Sequence, residues 1–369
     1  MHTDQNFPII TYKKGESNFQ HGLYHGESYR NGIQELAAIR RNLLLKKNPS
    51  IQEHLHDLSL QQWEITSQYA PDITDEMKGI CKGANITIDD IVILNNYTDF
   101  RDINLADEGC STVHVITPDE SISGQTWDMH SSAKKYVCLI DIPGEENIPG
   151  QLYFSLVGCV GMMGVKTNNL LVGVNNLNTT NAIASLIWPA LIRKSLGSAN
   201  NYDELVNTIK SAPVTSGHNY LISSLENGSM WEVSPKVVEN VSSLDPTKKS
   251  HQCIYHTNHC LGESISKYEN VNSLSSTTKE RYNILRKFSS EVKNSNDLEK
   301  LLHGHDNYPK SICGHFNNNS QDPSATCGGG YFNFSKKDIY FWRGCPEYDK
   351  NFKSIRYKKY NNSFKKVSS

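Results

Sequence analysis

A glycine followed by a cysteine, at the start of a β-rich segment, could carry self-cleavage chemistry. Gly109 and Cys110 precede Ser111, Thr112 and a short strand-like run. Because glycine lacks a Cβ, the Gly109 carbonyl can twist and be approached by the Cys110 sulfur. Attack by this sulfur would convert the peptide bond into a thioester, and water would then release a new N-terminal Cys110. An ordinary buried core cysteine is the alternative interpretation.

A free α-amino group on Cys110 would supply the base that such a nucleophile needs. A thiol titrates near about 8.5 and an α-amino group near about 7.7 to 8.0. The amine can therefore accept the thiol proton at neutral pH, and no separate histidine is required. The expected product is an enzyme that attacks a carbonyl through Cys110 and forms a thioester acyl-enzyme.

Three further polar motifs could complete this site. Asp128 ends a Gly-Gln-Thr-Trp-Asp run, 18 residues after Cys110, and a turn-forming aspartate is the alternative. Asn175 and Asn176 end a Gly-Val-Asn-Asn run and could supply a donor or line a pocket, with plain turn chemistry as the alternative. Asn258, within His-Thr-Asn-His, could donate its side-chain amide to an oxyanion, although such a residue can also bond local backbone.

These four motifs, in this order and spacing, resemble the acyl-coenzyme A:6-aminopenicillanic acid acyltransferase family of autoproteolytic N-terminal-nucleophile hydrolases. Weaker similarities occur at residues 21–26, 79–95, 281–286 and 343–346. The resemblance implies that Gly109 and Cys110 form the self-cleavage site and that Asp128 holds the new amine or ammonium group. It also implies that Asn258 forms the oxyanion hole. Related bile-salt and penicillin-V hydrolases usually carry an arginine two residues before the aspartate; here Thr126 stands there, which favours the acyltransferase branch.

The same resemblance implies a four-layer α/β/β/α sandwich. Residues 1–109 would be a smaller, mainly helical chain released by self-cleavage. Residues 110–369 would be the catalytic chain with the nucleophile at its N-terminus. The two chains would stay associated as one globular unit, because they share a core.

Hydrophobic periodicity agrees with a helical first part and a β-rich second part. Helical spacing covers residues 36–44, 51–69, 75–83, 86–96, 184–196, 202–211, 277–288 and 296–302. Strand-like runs cover residues 111–117, 136–142, 151–156, 170–174, 220–224, 230–233 and 253–255, and a closing hairpin is expected at 330–334 and 339–342. The basic stretch at residues 350–366 is predicted to be a solvated tail.

Composition indicates an ordinary globular protein rather than a membrane or nucleic-acid-binding one. The 369 residues are 37% hydrophobic and 21% charged, with a net charge of −2. No apolar run approaches the ~20 residues that span a bilayer, and the N-terminus shows no secretion signal. Nine cysteines without a Cys-X-X-Cys pair favour reduced thiols and a cytoplasmic location.

No metal or cofactor is expected from the sequence, with acyl-coenzyme A as a candidate acyl donor. Cys253, His256, His259 and Cys260 do not match a zinc spacing, and the two histidines should lie on opposite faces of a strand. Residues 328–330, three glycines, lack the Lys-Ser/Thr of a phosphate loop and are predicted to form a flexible turn.

The function expected is that of an amidohydrolase or acyltransferase acting on a small N-acyl amine or amino acid conjugate, activated by self-cleavage. The partners expected are this small-molecule substrate and the two cleaved chains themselves. A non-catalytic binding or scaffold protein that keeps the same fold as an uncut precursor is the alternative. A regulated precursor with its own role is a third possibility.

Overall fold

The described residues before Gly109 form mainly helices, together with one short strand. The protein was analysed as a computed structural model that describes residues 7–101, 109–248, 250–315 and 324–367. Numbered in chain order, the strand is β1 (Ile9–Thr11) and the helices are α1 (Asn18–Ser28), α2 (Arg30–Lys47), α3 (Leu55–Tyr69), α4 (Pro71–Ala84) and α5 (Ile88–Arg101). Asp107 and Glu108, next to the predicted cleavage site, lie outside the described residues.

Local sequence signals explain where these helices begin and end. The Ser17 hydroxyl accepts a hydrogen bond from the Gln20 amide at 3.2 Å, and the Gln20 side chain accepts one from the Ser17 amide at 2.8 Å. This reciprocal capping box begins α1. Helix α4 ends at Asn85, whose φ of 54° is left-handed and terminates the helical hydrogen-bond pattern.

The backbones of helices α1 and α4 are in direct contact because glycines line the interface between the two helices. A Cβ added at Gly22 would lie 1.9 Å from the Glu76 carbonyl oxygen, and one added at Gly79 would lie 2.2 Å from the Phe19 carbonyl oxygen. Gly26 and Gly83 meet in the same way. These glycines lie in the segments 21–26 and 79–95, where the weak sequence similarities occur. Only glycine satisfies the packing at these positions.

Within the described ranges, the strands form two sheets. The first has the order β1, β4 (Val137–Ile142), β5 (Gln151–Leu156), β6 (Met163–Lys166), β7 (Leu170–Leu177), β8 (Gly217–Ser223), β9 (Gly228–Ser234) and β10 (Val237–Ser243). The second has the order β11 (Gln252–His256), β2 (Gly109–Ile116), β3 (Ser121–His130), β12 (Ser324–Asn333), β13 (Asp338–Arg343), β14 (Lys353–Tyr360) and β15 (Ser363–Lys366). All neighbours are antiparallel except β1 and β4.

The two sheets pack face to face, and helices cover both outer faces. The remaining helices are α6 (Trp188–Ser198), α7 (Tyr202–Lys210), α8 (Thr278–Phe288) and α9 (Ser295–Leu302). Strand β2 contacts β7 and β8 across the interior, α6 and α7 pack on the first sheet, and α8 and α9 pack on the second. Strands β2 and β3 are buried along nearly their whole length. The predicted four-layer α/β/β/α sandwich is confirmed.

Residues on the two sides of the Gly109–Cys110 junction share one core. Strand β1 pairs with β4, with Ile10 opposite Ile140. Deeper in the core, the Glu76 carboxylate of α4 meets the Arg193 guanidinium of α6 in two hydrogen bonds of 3.2 and 2.8 Å. Both side chains are almost completely buried. Hydrogen bonding and a buried ion pair therefore join the helical part to the rest.

Two expectations about the C-terminal part are wrong. The basic stretch at residues 350–366 is not a solvated tail, because most of it forms β14 and β15, in which Ile355 and Tyr357 alternate inward. The glycines at residues 328–330 are not a flexible turn but lie inside β12. A Cβ at Gly328 would lie 2.4 Å from the Trp342 carbonyl oxygen, so close strand packing explains the glycines.

Candidate active site

Cys110 is the second residue of β2, one of the inner strands of the second sheet. Its strand pairs with β3, which places Cys110 opposite Trp127 and Gly109 opposite Asp128. The cysteine is 7% exposed. The sequence predicted that Cys110 lies where a loop enters a strand. The strand is present and begins at Gly109, and the residues just before it lie outside the described ranges. The strand that carries Cys110 has a neighbouring strand on each side.

Gly109 has no room for a side chain. A Cβ at this position would lie 2.6 Å from Asp128 Oδ2 and 2.8 Å from Arg281 Nη2. Real Cβ atoms essentially never approach other atoms below 3.0 Å. A side chain at Gly109 would therefore displace a carboxylate and a guanidinium that are buried and hydrogen-bonded at the junction.

The backbone nitrogen of Cys110 is held by the side chain of Asn258. It donates to Asn258 Oδ1 at 2.7 Å. The same oxygen accepts from Arg281 Nη2 at 2.8 Å, whereas Asn258 Nδ2 donates to the Asn176 carbonyl at 3.0 Å. Two donors on one side and an acceptor on the other fix the orientation of the amide. Asn258 thus lies at the predicted site, with its oxygen toward Cys110 and one N–H of its NH₂ group engaged.

The turn that carries Asn258 is held by a buried histidine–glutamate contact and by a hydroxyl. His256, the last residue of β11, contacts Glu232 Oε1 through Nε2 at 2.7 Å. Burial alone would raise the pKa of Glu232, but the bonds from His256 and from the Leu261 and Gly262 amides lower it. The Asn258 amide itself donates to the Thr278 hydroxyl at 2.8 Å.

The sequence predicted that His256 and His259 lie on opposite faces of a strand, and this prediction is wrong. Strand β11 ends at His256, and the two ring centroids are 6.5 Å apart. Both nitrogens of His256 already have partners, Glu232 and the Thr257 carbonyl. His256 therefore orients the Asn258 turn rather than offering a free metal ligand.

Arg281 is the principal site residue that sequence reasoning missed. This fully buried side chain of α8 donates from Nη1 to the Cys110 carbonyl at 2.5 Å and to the Ser111 hydroxyl at 3.0 Å. Its Nε lies 3.9 Å from Asp128 Oδ2. The only sequence signal was the weak family similarity at residues 281–286. Thr126 stands where related hydrolases usually carry arginine, and a guanidinium reaches Asp128 from a helix instead.

Asp128 is a buried carboxyl group opposite Gly109. Burial raises its pKa to about 6, although the Arg281 guanidinium and a hydrogen bond from Thr326 lower it. The Thr326 hydroxyl donates to Asp128 Oδ1 at 2.7 Å. The alternative of a turn-forming aspartate does not apply, because Asp128 lies within β3.

Burial also lowers the pKa of the Arg281 guanidinium, and the Asp128 carboxylate opposes that change. Arginine stays protonated at neutral pH even so. At neutral pH the Gly109–Cys110 junction is therefore flanked by a positive and a mostly ionised negative group, both inside the protein.

Asn175 and Asn176, left open by the sequence, occupy different environments. Asn175 Oδ1 accepts from the Thr112 hydroxyl at 2.7 Å and from Asn219 Nδ2 at 2.8 Å, so it ties the two sheets together. Asn176 lies on the other side of β7 and lines the cavity beside Cys110. The backbone carbonyl of Asn176 also accepts the hydrogen bond from Asn258 Nδ2. Asn176 is thus the pocket residue of the pair, and Asn175 is a buried cross-link.

The cavity at Cys110 has a volume of about 20 Å³, which suits one water molecule. Ten residues line it: Thr98, Gly109, Cys110, Trp127, Asp128, Val174, Asn176, Trp188, His218 and Asn258. An acyl amine does not fit in this volume.

A buried cysteine at the start of an inner strand, with amide, carboxylate and guanidinium groups around its backbone nitrogen and carbonyl, suits acyl-transfer chemistry. Residues 115–345 match the family described as acyl-coenzyme A:6-aminopenicillanic acid acyl-transferase. The chain belongs to this family, as its motifs predicted. The match includes Asp128, Asn258 and Arg281 and begins five residues after Cys110.

Individual relatives are more distant. The chain is 25% identical over 297 residues to the 40 kDa form of acyl-coenzyme A:6-aminopenicillanic-acid-acyltransferase from Emericella nidulans, covering 79% of this chain and 81% of that protein. Among solved structures, it is similar to the Caenorhabditis elegans ortholog of N-acylethanolamine-hydrolyzing acid amidase, at 10% identity and a TM-score of 0.44, covering 61% of this chain and 93% of that one. A variant of conjugated bile acid hydrolase from Clostridium perfringens gives 10% identity and a TM-score of 0.44, covering 70% and 97%.

Among the helices in the described ranges, none combines the length and apolar content needed to cross a membrane.

Proposed function

We propose that this chain cleaves itself before Cys110 and then acts as an N-terminal cysteine amidohydrolase or acyltransferase on small N-acyl amine or amino acid conjugates. One observation carries the proposal: the Cys110 nitrogen, which cleavage would turn into the α-amino group, is already bound by Asn258. Family membership supports acyl transfer as the general chemistry.

Self-cleavage would proceed as an N-to-S acyl shift. The Cys110 sulfur attacks the Gly109 carbonyl carbon, a C–S bond forms, and the C–N bond breaks. The departing nitrogen takes up the thiol proton and becomes the α-amino group of Cys110. Water then hydrolyses the thioester, which leaves a carboxylate on Gly109 and regenerates the thiol.

Catalysis would repeat the same bond changes on the amide bond of an external substrate. The α-amino group accepts the thiol proton, and the sulfur attacks the substrate amide carbonyl. Asn258 Nδ2 has a second N–H that can stabilise the oxyanion. Asp128, ionised above a pKa of about 6, favours the ammonium form that protonates the departing amine. Water or an amine acceptor then resolves the thioester.

Room for the substrate has to arise on activation. The cavity beside Cys110 holds about one water in the uncut chain, so we expect the uncut chain to be inactive toward external amides. Acyl-coenzyme A remains a candidate donor, and no resident cofactor enters the proposed steps. The cytoplasmic location stays a sequence-based prediction.

The first test is intact-protein mass spectrometry under denaturing conditions. We expect chains of 109 and 260 residues from the wild type. Cys110→Ala should yield one uncut chain, whereas the control Cys138→Ala, which removes another buried thiol, should cut normally. A single 41.6 kDa species from the wild type would contradict the proposal and favour the scaffold alternative.

Asn258 has two separable roles that paired substitutions can distinguish. Asn258→Asp keeps the oxygen that accepts from Cys110 and Arg281 but removes the NH₂ donor, and Asn258→Ala removes both. If the amide stabilises an oxyanion, turnover of an N-acyl amine by Asn258→Asp should fall by about 10² to 10³. Wild-type turnover by Asn258→Asp would contradict the oxyanion role.

The choice between hydrolysis and transfer needs a substrate comparison. The cleaved enzyme should be offered N-acyl amines alone, and acyl-coenzyme A thioesters with and without an amine acceptor. Fast hydrolysis of amides with slow hydrolysis of thioesters assigns the chain as an amidohydrolase. Amine-dependent consumption of the thioester assigns it as an acyltransferase.

A further inference from the structure

Four potential metal ligands meet beside the second sheet. They are His305, Cys313, His315 and Cys345, and their ligand atoms all lie within 4.8 Å of one another. They come from separate segments: the loop after α9 supplies the first three, and the turn after β13 supplies Cys345. Both cysteines are buried and both histidines are half-buried.

Three of the six distances between the ligand atoms of this cluster match the edges of a zinc tetrahedron. The Nε2 atoms of the two histidines are 3.3 Å apart, Cys345 Sγ is 3.4 Å from His305 Nε2, and Cys313 Sγ is 3.7 Å from His315 Nε2. A tetrahedral ion with Zn–N near about 2.0 Å and Zn–S near about 2.3 Å has N–N edges of about 3.3 Å and S–N edges of about 3.5 Å. Along these three edges the cluster has the spacing of a Cys₂His₂ site.

A carboxylate orients the ring of His305 toward the other three groups. Its Nδ1 lies 2.9 Å from Glu347 Oε2. With Nδ1–H donating to this carboxylate, Nε2 is the ring nitrogen left for a metal, and it faces His315 and Cys345. A histidine held by a carboxylate on one nitrogen and by a metal on the other is a common arrangement around zinc.

A purely structural group of thiols and imidazoles is the competing explanation, and a Cys313–Cys345 disulfide is another. Both cysteines are free thiols in this structure. Two thiols and two imidazole nitrogens converge on one point, with an N–N distance of 3.3 Å and S–N distances of 3.4 and 3.7 Å. A shared cation accounts for the convergence of all four groups.

We propose that His305, Cys313, His315 and Cys345 bind one zinc ion in a closed, tetrahedral, structural site. Two sulfur and two nitrogen ligands in this geometry suit zinc among the common divalent ions. Four protein ligands leave no open position, so the ion would serve structure rather than chemistry.

The proposed ion would act on the active site through the loop between its ligands. Gly314, which lies between the ligands Cys313 and His315, donates its amide to the Thr326 hydroxyl at 2.7 Å. That hydroxyl donates in turn to Asp128 Oδ1 at 2.7 Å. Zinc would thus hold the segment that keeps Thr326, and through it Asp128, in place. Thr326 and Gly314 are positioning residues in this arrangement.

The test is metal analysis of the purified full-length protein by inductively coupled plasma mass spectrometry. The protein should be expressed with added zinc and purified without chelators. We expect about one zinc per chain in the wild type and in the control Cys138→Ala, and less than about a tenth of that in Cys345→Ser and Cys313→Ser. A zinc-free wild type, or full zinc in both serine variants, would overturn the proposal.

A second measurement covers the case in which the serine variants do not fold. Zinc-edge X-ray absorption of the wild type should report two sulfur neighbours at about 2.3 Å and two nitrogen neighbours at about 2.0 Å. A shell of oxygen and nitrogen only, or a Cys313–Cys345 disulfide found by peptide mapping, would count against the site.

Discussion

At the scale of single residues, the junction is governed by three side chains that crowd or hold it. Asp128 and Arg281 leave no space at Gly109, and Asn258 binds the Cys110 nitrogen. The sequence supplied Asp128 and Asn258 because each lies in a recognisable motif. Arg281 could not be inferred in the same way, since it comes from a helix far along the chain and its partner atoms are a backbone carbonyl and side chains from other segments.

Gly109→Ala should block or strongly slow self-cleavage. Its methyl group would collide with Asp128 Oδ2 and Arg281 Nη2, so the junction would have to move away from the groups that hold it. The matched control is Gly197→Ala in α6, where the nearest atom to a new Cβ is 4.0 Å away. Intact mass after equal incubation decides the matter: equal cutting of both variants would show that crowding at Gly109 is unimportant.

Thr326→Val should raise the pKa of Asp128 above about 6. The Thr326 hydrogen bond favours the charged carboxylate, so its loss favours the protonated form. Carbon-detected NMR titration of Asp128 in the uncut Cys110→Ala background measures this pKa directly, with Thr326→Ser as the control that keeps the hydroxyl. An unchanged titration midpoint in Thr326→Val would refute the assigned role.

Asp128 also makes the stability of the uncut fold depend on pH. Because folding raises the pKa of Asp128 above its ordinary value of 3.8, this group stabilises the uncut fold fully below that value. The contribution is lost as the pH rises through about 6. An ionised Asp128 is therefore a cost that the uncut chain carries at neutral pH.

At the scale of helices and strands, an element could be predicted where its local sequence pattern reflects its burial. It was missed where its burial depends on residues that are distant in the sequence. Helices α2 to α5 follow from apolar spacing, because each buries one face, whereas α1 was not among the predicted helices. Strands β14 and β15 were missed because lysine and arginine are frequent in both, and only Ile355, Tyr357 and Phe364 are buried in them. The glycines of β12 were misassigned because close packing against Trp342 and Phe154 is invisible in a local window.

The proposed metal site was missed for the same physical reason. Its proposed ligands span 41 residues, from His305 to Cys345, and they converge only when the loop after α9 meets the end of β13. The closely spaced Cys253, His256, His259 and Cys260 were the candidates that stood out in the sequence. Short spacing is a guide to a metal site only where one local segment supplies the ligands.

Gly22→Ala should destabilise the protein by more than about 2 kcal/mol, because the new methyl group meets the backbone of α4 at 1.9 Å. Gly32→Ala in α2 is the matched control, since its Cβ would lie 3.5 Å from Val157, an ordinary contact. That control should be neutral or up to about 1 kcal/mol more stable, given the helix propensity of alanine. Urea unfolding of both variants measures the difference; equal stabilities would mean that α1 and α4 separate easily.

At the scale of the whole molecule, the parts on either side of Cys110 are tied together by β1, by a common core and by the Glu76–Arg193 pair. Cleavage would break one peptide bond and leave these contacts in place. The predicted association of the two chains therefore has a structural basis, and size-exclusion chromatography should recover both in one peak.

Glu76→Ala should destabilise the molecule by about 3 to 5 kcal/mol, because it leaves the Arg193 guanidinium buried without its carboxylate. Lys78→Ala removes an exposed ion pair with Asp75 and should change stability by less than about 1 kcal/mol. Thermal unfolding of the uncut Cys110→Ala background provides the comparison. Similar melting temperatures for the two variants would argue that the buried pair contributes no more than a surface one.

The Glu76–Arg193 pair also bears on the order of events during translation. The ribosome synthesises Glu76 117 residues before Arg193, so a nascent chain that already contains Cys110 still lacks the guanidinium that neutralises the Glu76 carboxylate. The junction can reach its crowded, hydrogen-bonded state only after α6 and α8 have emerged. Only molecules that had completed folding would therefore be cut. The fraction of uncut chains in a cell would then report how many chains had not completed folding.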